Sequence, residues 1–175
     1  MPLIVTISHF ATKIAVERAK FAKEQGAVAV MLMPPYHGAL LKGSEQQTFE
    51  QVKAVGEVGL PIMLQDAPLS GVELSVDFLI KMAKEVEMVK MFKIESINAA
   101  EKLSNLIGRG GENVEGPFDG EEGITLLADL DAGAVGSMTS ELIPDLIRPV
   151  IIHHRAGDRD MAESTYHDIL PIINF

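Results

Sequence analysis

Met88-Val89-Lys90-Met91-Phe92-Lys93-Ile94-Glu95 reads as a short buried β-strand with a lysine and a carboxylate at its far end. Strand side chains alternate between two faces, so Lys93 and Glu95 point one way and Phe92 and Ile94 point the other, into apolar packing. Lys90 has the wrong parity for the Lys93 face and reads as helix-facing or snorkelling. A lysine held out of water loses part of its preference for the charged form, and its free amine attacks a ketone to form a Schiff base. A carboxylate two residues on is placed either to shuttle the protons of that chemistry or simply to pair with the lysine. Lys-x-Glu is a common triplet, so the rest of the chain must decide.

Outward from that strand, apolar runs alternate with helical patterns. Leu3–Ile7, Ala27–Met33, Pro61–Gln65, Val89–Glu95, Val114–Pro117 and Ala134–Met138 read as strands, rich in branched residues and bounded by glycine, proline or polar turns. Between them, Thr12–Gln25, Ser44–Val58, Ser75–Val86, Asn98–Ile107 and Glu121–Asp131 carry helical spacing, and Leu142–Arg155 and Asp160–Ile169 close the chain as helices. Ser44 followed by Gln47 is a capping-box pattern, and Ser75 is a second serine cap. Strands alternating with helices imply parallel pairing with right-handed crossovers. The strands are near-continuously apolar, as expected when both sheet faces are covered.

The fold class is therefore α/β, as either an open doubly wound sheet or a (β/α) barrel. No Gly-x-Gly-x-x-Gly follows the first strand, and Gly108-Arg109-Gly110-Gly111 follows a helix, where it reads as a stop and turn. That favours the barrel, whose functional loops follow the C-terminal ends of the strands. Here those loops are polar: Ser8-His9-Phe10, Pro34-Pro35-Tyr36-His37-Gly38, Gln65-Asp66-Ala67-Pro68, Lys93-Ile94-Glu95-Ser96, Asp119-Gly120-Glu121-Glu122 and Ser137-Met138-Thr139-Ser140. The opposite ends are plain turns such as Gln25-Gly26-Ala27 and Gly59-Leu60-Pro61.

Composition narrows the chemistry. The 175 residues suit one domain, and 47% hydrophobic content allows a substantial core. With no cysteine, disulfides, thiolate metal sites and a cysteine nucleophile are excluded. A net charge of −10 with scattered basic residues argues against a nucleic-acid partner. No apolar run reaches the roughly 18–20 residues that span a bilayer, so no membrane partner is expected. Met1-Pro2-Leu3-Ile4-Val5 lacks a basic signal region, which predicts a cytoplasmic protein. Asp119, Glu121 and Glu122 present three carboxylates, but Glu121 and Glu122 read as a helix opening, so no metal is expected. His153 and His154 splay apart on a helix and read as surface.

The loops resemble those of the dihydrodipicolinate synthase / N-acetylneuraminate lyase family of Schiff-base barrels. The likeness rests on Met31-Leu32-Met33-Pro34-Pro35-Tyr36, Leu60-Pro61-Ile62-Met63-Leu64-Gln65-Asp66-Ala67-Pro68, Phe92-Lys93-Ile94-Glu95 and Gly133-Ala134-Val135-Gly136-Ser137. Thr6-Ile7-Ser8-His9-Phe10, Met33-Pro34-Pro35-Tyr36-His37-Gly38 and Glu115-Gly116-Pro117-Phe118-Asp119-Gly120-Glu121-Glu122 make it most like the L-2-keto-3-deoxyarabonate dehydratases. The resemblance implies a partial (β/α)8 TIM barrel of about six βα units over 1–157, with the start of a C-terminal helical extension at 158–175. It also implies a cofactor-free lyase acting on a small 2-keto acid, and a homo-oligomer, a tetramer in the family.

Lys93 is then the Schiff-base nucleophile and Glu95 the acid/base candidate. Ser8, His9, Tyr36, His37, Gln65, Asp66, Asp119 and Ser137 are candidate substrate-binding residues. For Ser8 and His9 a structural hydrogen bond is the stronger alternative; for His37 it is a proline-stiffened turn, and for Asp66 a structural cap. Most members of the family carry a tyrosine proton relay where Gln65 stands, and often an arginine where Leu69 and Ser70 stand. Both departures favour a dehydratase over an aldolase or synthase. The chain also begins at what resembles the third family strand, so it is expected to be a fragment with at most trace turnover alone.

Overall fold

The computed structural model describes residues 2–38 and 40–174. Met1 and Phe175, the outer bounds expected for the barrel segment and its helical extension, lie outside the described residues. A parallel sheet of five strands runs in the order β1 (Ile4–Thr6), β2 (Ala29–Leu32), β5 (Ile62–Asp66), β6 (Val89–Ile94) and β7 (Pro117–Asp119). A two-stranded hairpin, β3 (Tyr36–His37) with β4 (Leu41–Lys42), interrupts the β2 crossover. The sequence gives no alternation there to announce it.

Helices α1 (Thr12–Glu24), α2 (Glu45–Gly56), α3 (Val76–Glu85) and α4 (Ala99–Gly110) cover one face of the sheet. Their start signals act as the sequence reading expects. Ser44 accepts from the Gln47 backbone while the Gln47 side chain accepts from Ser44, a complete capping box; Ser75 accepts from the Phe78 backbone. Val30, Leu32, Ile62, Leu64, Phe92 and Ile94 meet Ala15, Ala19, Val52, Leu79 and Leu103 in one core cluster. Each large buried side chain there contributes about 1.5–3 kcal/mol of burial.

The C-terminal half departs from expectation in three places. Helix α4 runs on to Gly110, where Gly111 (φ 54) caps it, so β7 starts at Pro117 rather than at Val114. Helix α5 is Leu126–Asp131 only, because Glu122 (φ 56) and Gly123 (φ 81) hold the left-handed backbone that no α-helix continues. The expected strand Ala134–Met138 is reduced to one bridge, Asp119 to Ser137. It makes three hydrogen bonds along β7, from Val135 to Pro117, from Asp119 to Gly136 and from Met138 to Asp119. A three-residue strand offers no longer template.

A second apolar cluster joins α5 to α6 (Pro144–Arg155) and α7 (Arg159–Ile173) through Leu126, Leu130, Ile147, Val150, Tyr166 and Ile169. His154 is not a free surface residue. Its Nε2 lies 2.8 Å from Asp131 Oδ1, and Arg159 Nη2 lies 3.0 Å from Asp131 Oδ2. Hydrogen bonds from Arg159 and His154 hold the Asp131 carboxyl below its ordinary range. Among the described residues, no helix is long and apolar enough to cross a membrane.

Candidate active site

The register of β5, β6 and β7 sorts the predicted residues into two rows. Gln65, Lys93 and Phe118 are cross-strand neighbours, and so are Asp66, Ile94 and Asp119. Neighbours in register share a face, so the first row lies opposite the helices and the second lies under them. Ile94 is fully buried in the helix-side core, which fixes the assignment.

On the first face Lys93 Nζ lies 2.5 Å from Glu95 Oε1, and the Gln65 amide donates to that same oxygen at 2.8 Å. The Lys93 and Glu95 side chains are only 12% and 19% exposed, so water competes weakly with this contact. One carboxylate oxygen thus receives both the ammonium and the amide. For Lys93 to act as an amine its proton must leave, and Glu95 is the acceptor in contact with it. Gln65 has no acid or base function; it fixes the carboxylate. Gly120 closes the site from β7: a Cβ there would stand 2.4 Å from Glu95 Cγ and 2.9 Å from Lys93 Cγ. Glycine is required by close approach, because the loop passes directly over the pair.

Asp66, a candidate substrate-binding residue beside Gln65, does not join it on this face. Adjacent strand residues oppose each other, and Asp66 turns under α3 and α4. Its Oδ2 lies 2.6 Å from Lys102 Nζ on α4, and its Oδ1 accepts from the Leu74 backbone. The two side chains are 4% and 10% exposed. Both residues line a cavity of about 590 Å³ between the segment that follows β5 and α4, and Glu95 lines it too.

Asp119 and Ser137 are likewise on the helix side, hydrogen bonded to each other at 2.5 Å and directed away from Lys93. Asp119 Oδ1 accepts from the Glu121 backbone, which takes the place of the helix start expected at Glu121. Ser8 and His9 serve the turn into α1. The Ser8 hydroxyl accepts from the Met33 backbone at 2.9 Å, and His9 Nδ1 accepts from Ala11 at 3.0 Å. Tyr36 is half-buried and His37 exposed in the hairpin, and among the described residues neither makes a hydrogen bond or ion pair to the Lys93 cluster. Lys90 lies where β5 and β6 slip register, and it pairs with Glu115 at 3.6 Å.

Sequence reasoning missed a polar network under the β7 loop. Thr125 Oγ1 lies 2.6 Å from Asp129 Oδ2 and 3.2 Å from Glu121 Oε2. Asp129 is fully buried and lies within hydrogen-bonding reach of Asp119. Burial pushes the Asp129 carboxyl up to about 7, against the Thr125 hydrogen bond and with Asp119 and Glu121 adding to it. Burial also raises Glu121; Thr125 opposes this, and the Asp119 and Glu95 charges reinforce it. Tyr166 on α7 is raised by burial and by the charges of Asp119 and Asp129. One signal was available: Asp129 sits among Leu126, Leu127 and Leu130, where a carboxylate is out of place. Among the described residues no His, Asp and Glu side chains group so as to hold a metal ion.

The site is thus a partly buried lysine–carboxylate pair at the C-terminal end of a strand in a parallel α/β sheet. The chain belongs to the dihydrodipicolinate synthetase family, whose sequence profile matches residues 1–175. It is 51% identical to an L-2-keto-3-deoxyarabonate dehydratase of Azospirillum brasilense over 175 residues, 99% of this chain and 57% of that protein. It is 30% identical to a 4-hydroxy-tetrahydrodipicolinate synthase of Aquifex aeolicus, over 93% of this chain and 56% of that one. The crystal structure of the Aquifex dihydrodipicolinate synthase superposes with a TM-score of 0.90, covering 99% of this chain and 59% of the other. The chain therefore spans little more than half the length of these relatives, and its sheet is part of a TIM barrel of their kind.

Proposed function

We propose that this chain carries the imine-forming centre of a lyase that dehydrates a 2-keto-3-deoxy sugar acid, most specifically L-2-keto-3-deoxyarabonate, to 2-oxoglutarate semialdehyde. The observation that carries the reading is the Lys93–Glu95 contact with Gln65 on the same oxygen. The 51% identity to a dehydratase of that name supports the substrate.

In this reading Lys93 passes its proton to Glu95 and attacks the C2 ketone. The carbinolamine hydroxyl takes that proton back from Glu95 and leaves as water, and the protonated imine acidifies the C3 hydrogens by drawing their electrons toward nitrogen. Glu95, held by Gln65, removes one C3 proton, and the C4 hydroxyl then leaves as water. Hydrolysis frees Lys93, and tautomerisation gives the semialdehyde. A general base so placed is worth about 10²–10⁴-fold in rate. The glutamine contributes orientation in place of the tyrosine relay, which fits elimination better than carbon–carbon cleavage. We also propose assembly as a homo-oligomer, supported by Leu40 and Ile97, each 93% exposed, and Leu142, 84% exposed.

Borohydride reduction in the presence of pyruvate or the sugar acid, read by peptide mass spectrometry, should place a single adduct on Lys93. An adduct on another residue, or none, refutes the imine assignment. Stoichiometric pyruvate released from the sugar acid would instead assign a retro-aldol lyase.

A further inference from the structure

We propose that Asp66 and Lys102, on the helix side of the sheet, are positioning residues that set the Glu95 carboxylate against Lys93. The proposal rests on the imine reading above.

Asp66 holds both ends of the segment that carries Glu95. Its backbone carbonyl accepts the Glu95 N–H at 2.9 Å, and its side chain takes the Lys102 ammonium at 2.6 Å. The chain from 95 to 102 is thereby closed into a ring through Ser96, Ile97, Asn98 and the first turn of α4. Gln65, the residue before Asp66, donates to the Glu95 carboxylate at 2.8 Å. Glu95 is thus fixed at its backbone by one residue of β5 and at its carboxylate by the neighbouring one.

Little else holds this segment. Asn98 makes no side-chain cap for α4, and the Ser96 hydroxyl is buried without a hydrogen-bond partner among the described residues. Ile97 is exposed. Residues 95–98 all line the cavity of about 590 Å³, so packing does not support them on that side. The side-chain bond from Lys102 to Asp66 is what ties the start of α4 back to β5.

Neither the helix nor stability accounts for this pair. Lys102 is the fourth residue of α4, near the positive end of the helix dipole, where a cation is disfavoured. Both side chains are nearly out of water, and the desolvation of such a pair offsets most of its attraction; apolar residues of similar volume are often as stable. What apolar residues do not reproduce is a bond of fixed direction and length. The 2.5 Å contact of Lys93 with Glu95 depends on both, since a shift of about 1 Å at reacting groups costs on the order of 10²-fold.

The test follows the rate at which pyruvate, with borohydride in excess, labels Lys93, and reads thermal melting alongside. Lys102→Met combined with Asp66→Leu removes both charges. It should melt near the native protein yet label Lys93 on the order of 10- to 10²-fold more slowly. Glu95→Gln alone should slow labelling by about 10²-fold. Adding the Lys102 and Asp66 changes to Glu95→Gln should slow it by no more than about twofold further, because the carboxylate they position is already gone. A merely structural role would slow labelling by the same factor in both backgrounds. Asp66→Asn, which keeps an acceptor for the Leu74 N–H, is the milder variant; the same two comparisons decide with it should the double variant fail to fold. Native-like labelling in the folded variant, or equal factors with and without Glu95, overturns the proposal. No label on Lys93 in the native protein refutes the imine reading, and the proposal with it.

Discussion

Gly120→Ala tests the site at its tightest point. The added Cβ would stand 2.4 Å from Glu95 Cγ, 2.9 Å from Lys93 Cγ and 3.0 Å from Lys93 Cε. Relaxed carbon contacts lie at about 3.5–4.0 Å, so Glu95 must retreat by more than about 1 Å. Its Oε1 is held at 2.5 Å from Lys93 and 2.8 Å from Gln65. Hydrogen bonds weaken beyond about 3.2 Å, so both contacts are lost or badly bent. Overpacking of this kind costs about 1–3 kcal/mol. At about 2–4 °C per kcal/mol for a chain of this size, melting should fall by roughly 2–12 °C. A misplacement of about 1 Å at reacting groups costs on the order of 10²-fold, which the rate of pyruvate trapping on Lys93 should show. Gly108→Ala is the matched control. Its Cβ meets nothing within 4 Å, and it lies inside α4, so it should be neutral or stabilise by about 0.5–1 kcal/mol. The close approach over the pair is refuted if Gly120→Ala melts within about 1 °C of the native protein and traps pyruvate within about twofold of its rate.

Two further outcomes are expected. Lys102→Met strands the buried Asp66 charge and should cost about 3–5 kcal/mol in urea unfolding. Adding Asp66→Leu should recover most of that loss, short of the unpaired Leu74 N–H; no recovery would show that the pair is not the source of the cost. The third concerns pH. Asp129 binds its proton more tightly folded, at about 7, than unfolded, at the ordinary 3.8. Its contribution is therefore present at low pH and is lost as pH rises from about 4 to about 7. Melting temperature should decline across that window in the native protein, and less steeply in Asp129→Asn. Parallel profiles would show that Asp129 titrates normally.

Where local rules suffice, the elements were legible. Ser44 with Gln47 and Ser75 mark helix starts because a side-chain oxygen meets unpaired backbone donors within three residues. The alternation in Phe92-Lys93-Ile94-Glu95 separates core from site because the strand period is two. The same parity, applied across Gln65 and Asp66, would have split that pair. Glu121–Asp131 looked helical because its composition is, yet Glu122 and Gly123 turn left-handed where Asp119 and Ser140 seize the loop. No local pattern records a partner 18 residues away.

The sequence by itself determined the parallel α/β order, the helix caps, the family likeness and the placing of Lys93 and Glu95 on one face. All of these follow from residue spacing or short motifs. Only the tertiary structure decided which loop passes over that pair and which acidic residues face it. It turned Asp66, Asp119 and Ser137 under the helices, and gathered Glu121, Thr125 and Asp129 into one hydrogen-bonded row beneath β7. The physical reason is that burial and charge are shared across strands and helices distant in the chain. A carboxyl's ordinary behaviour changes only when the fold removes its water and supplies its neighbours.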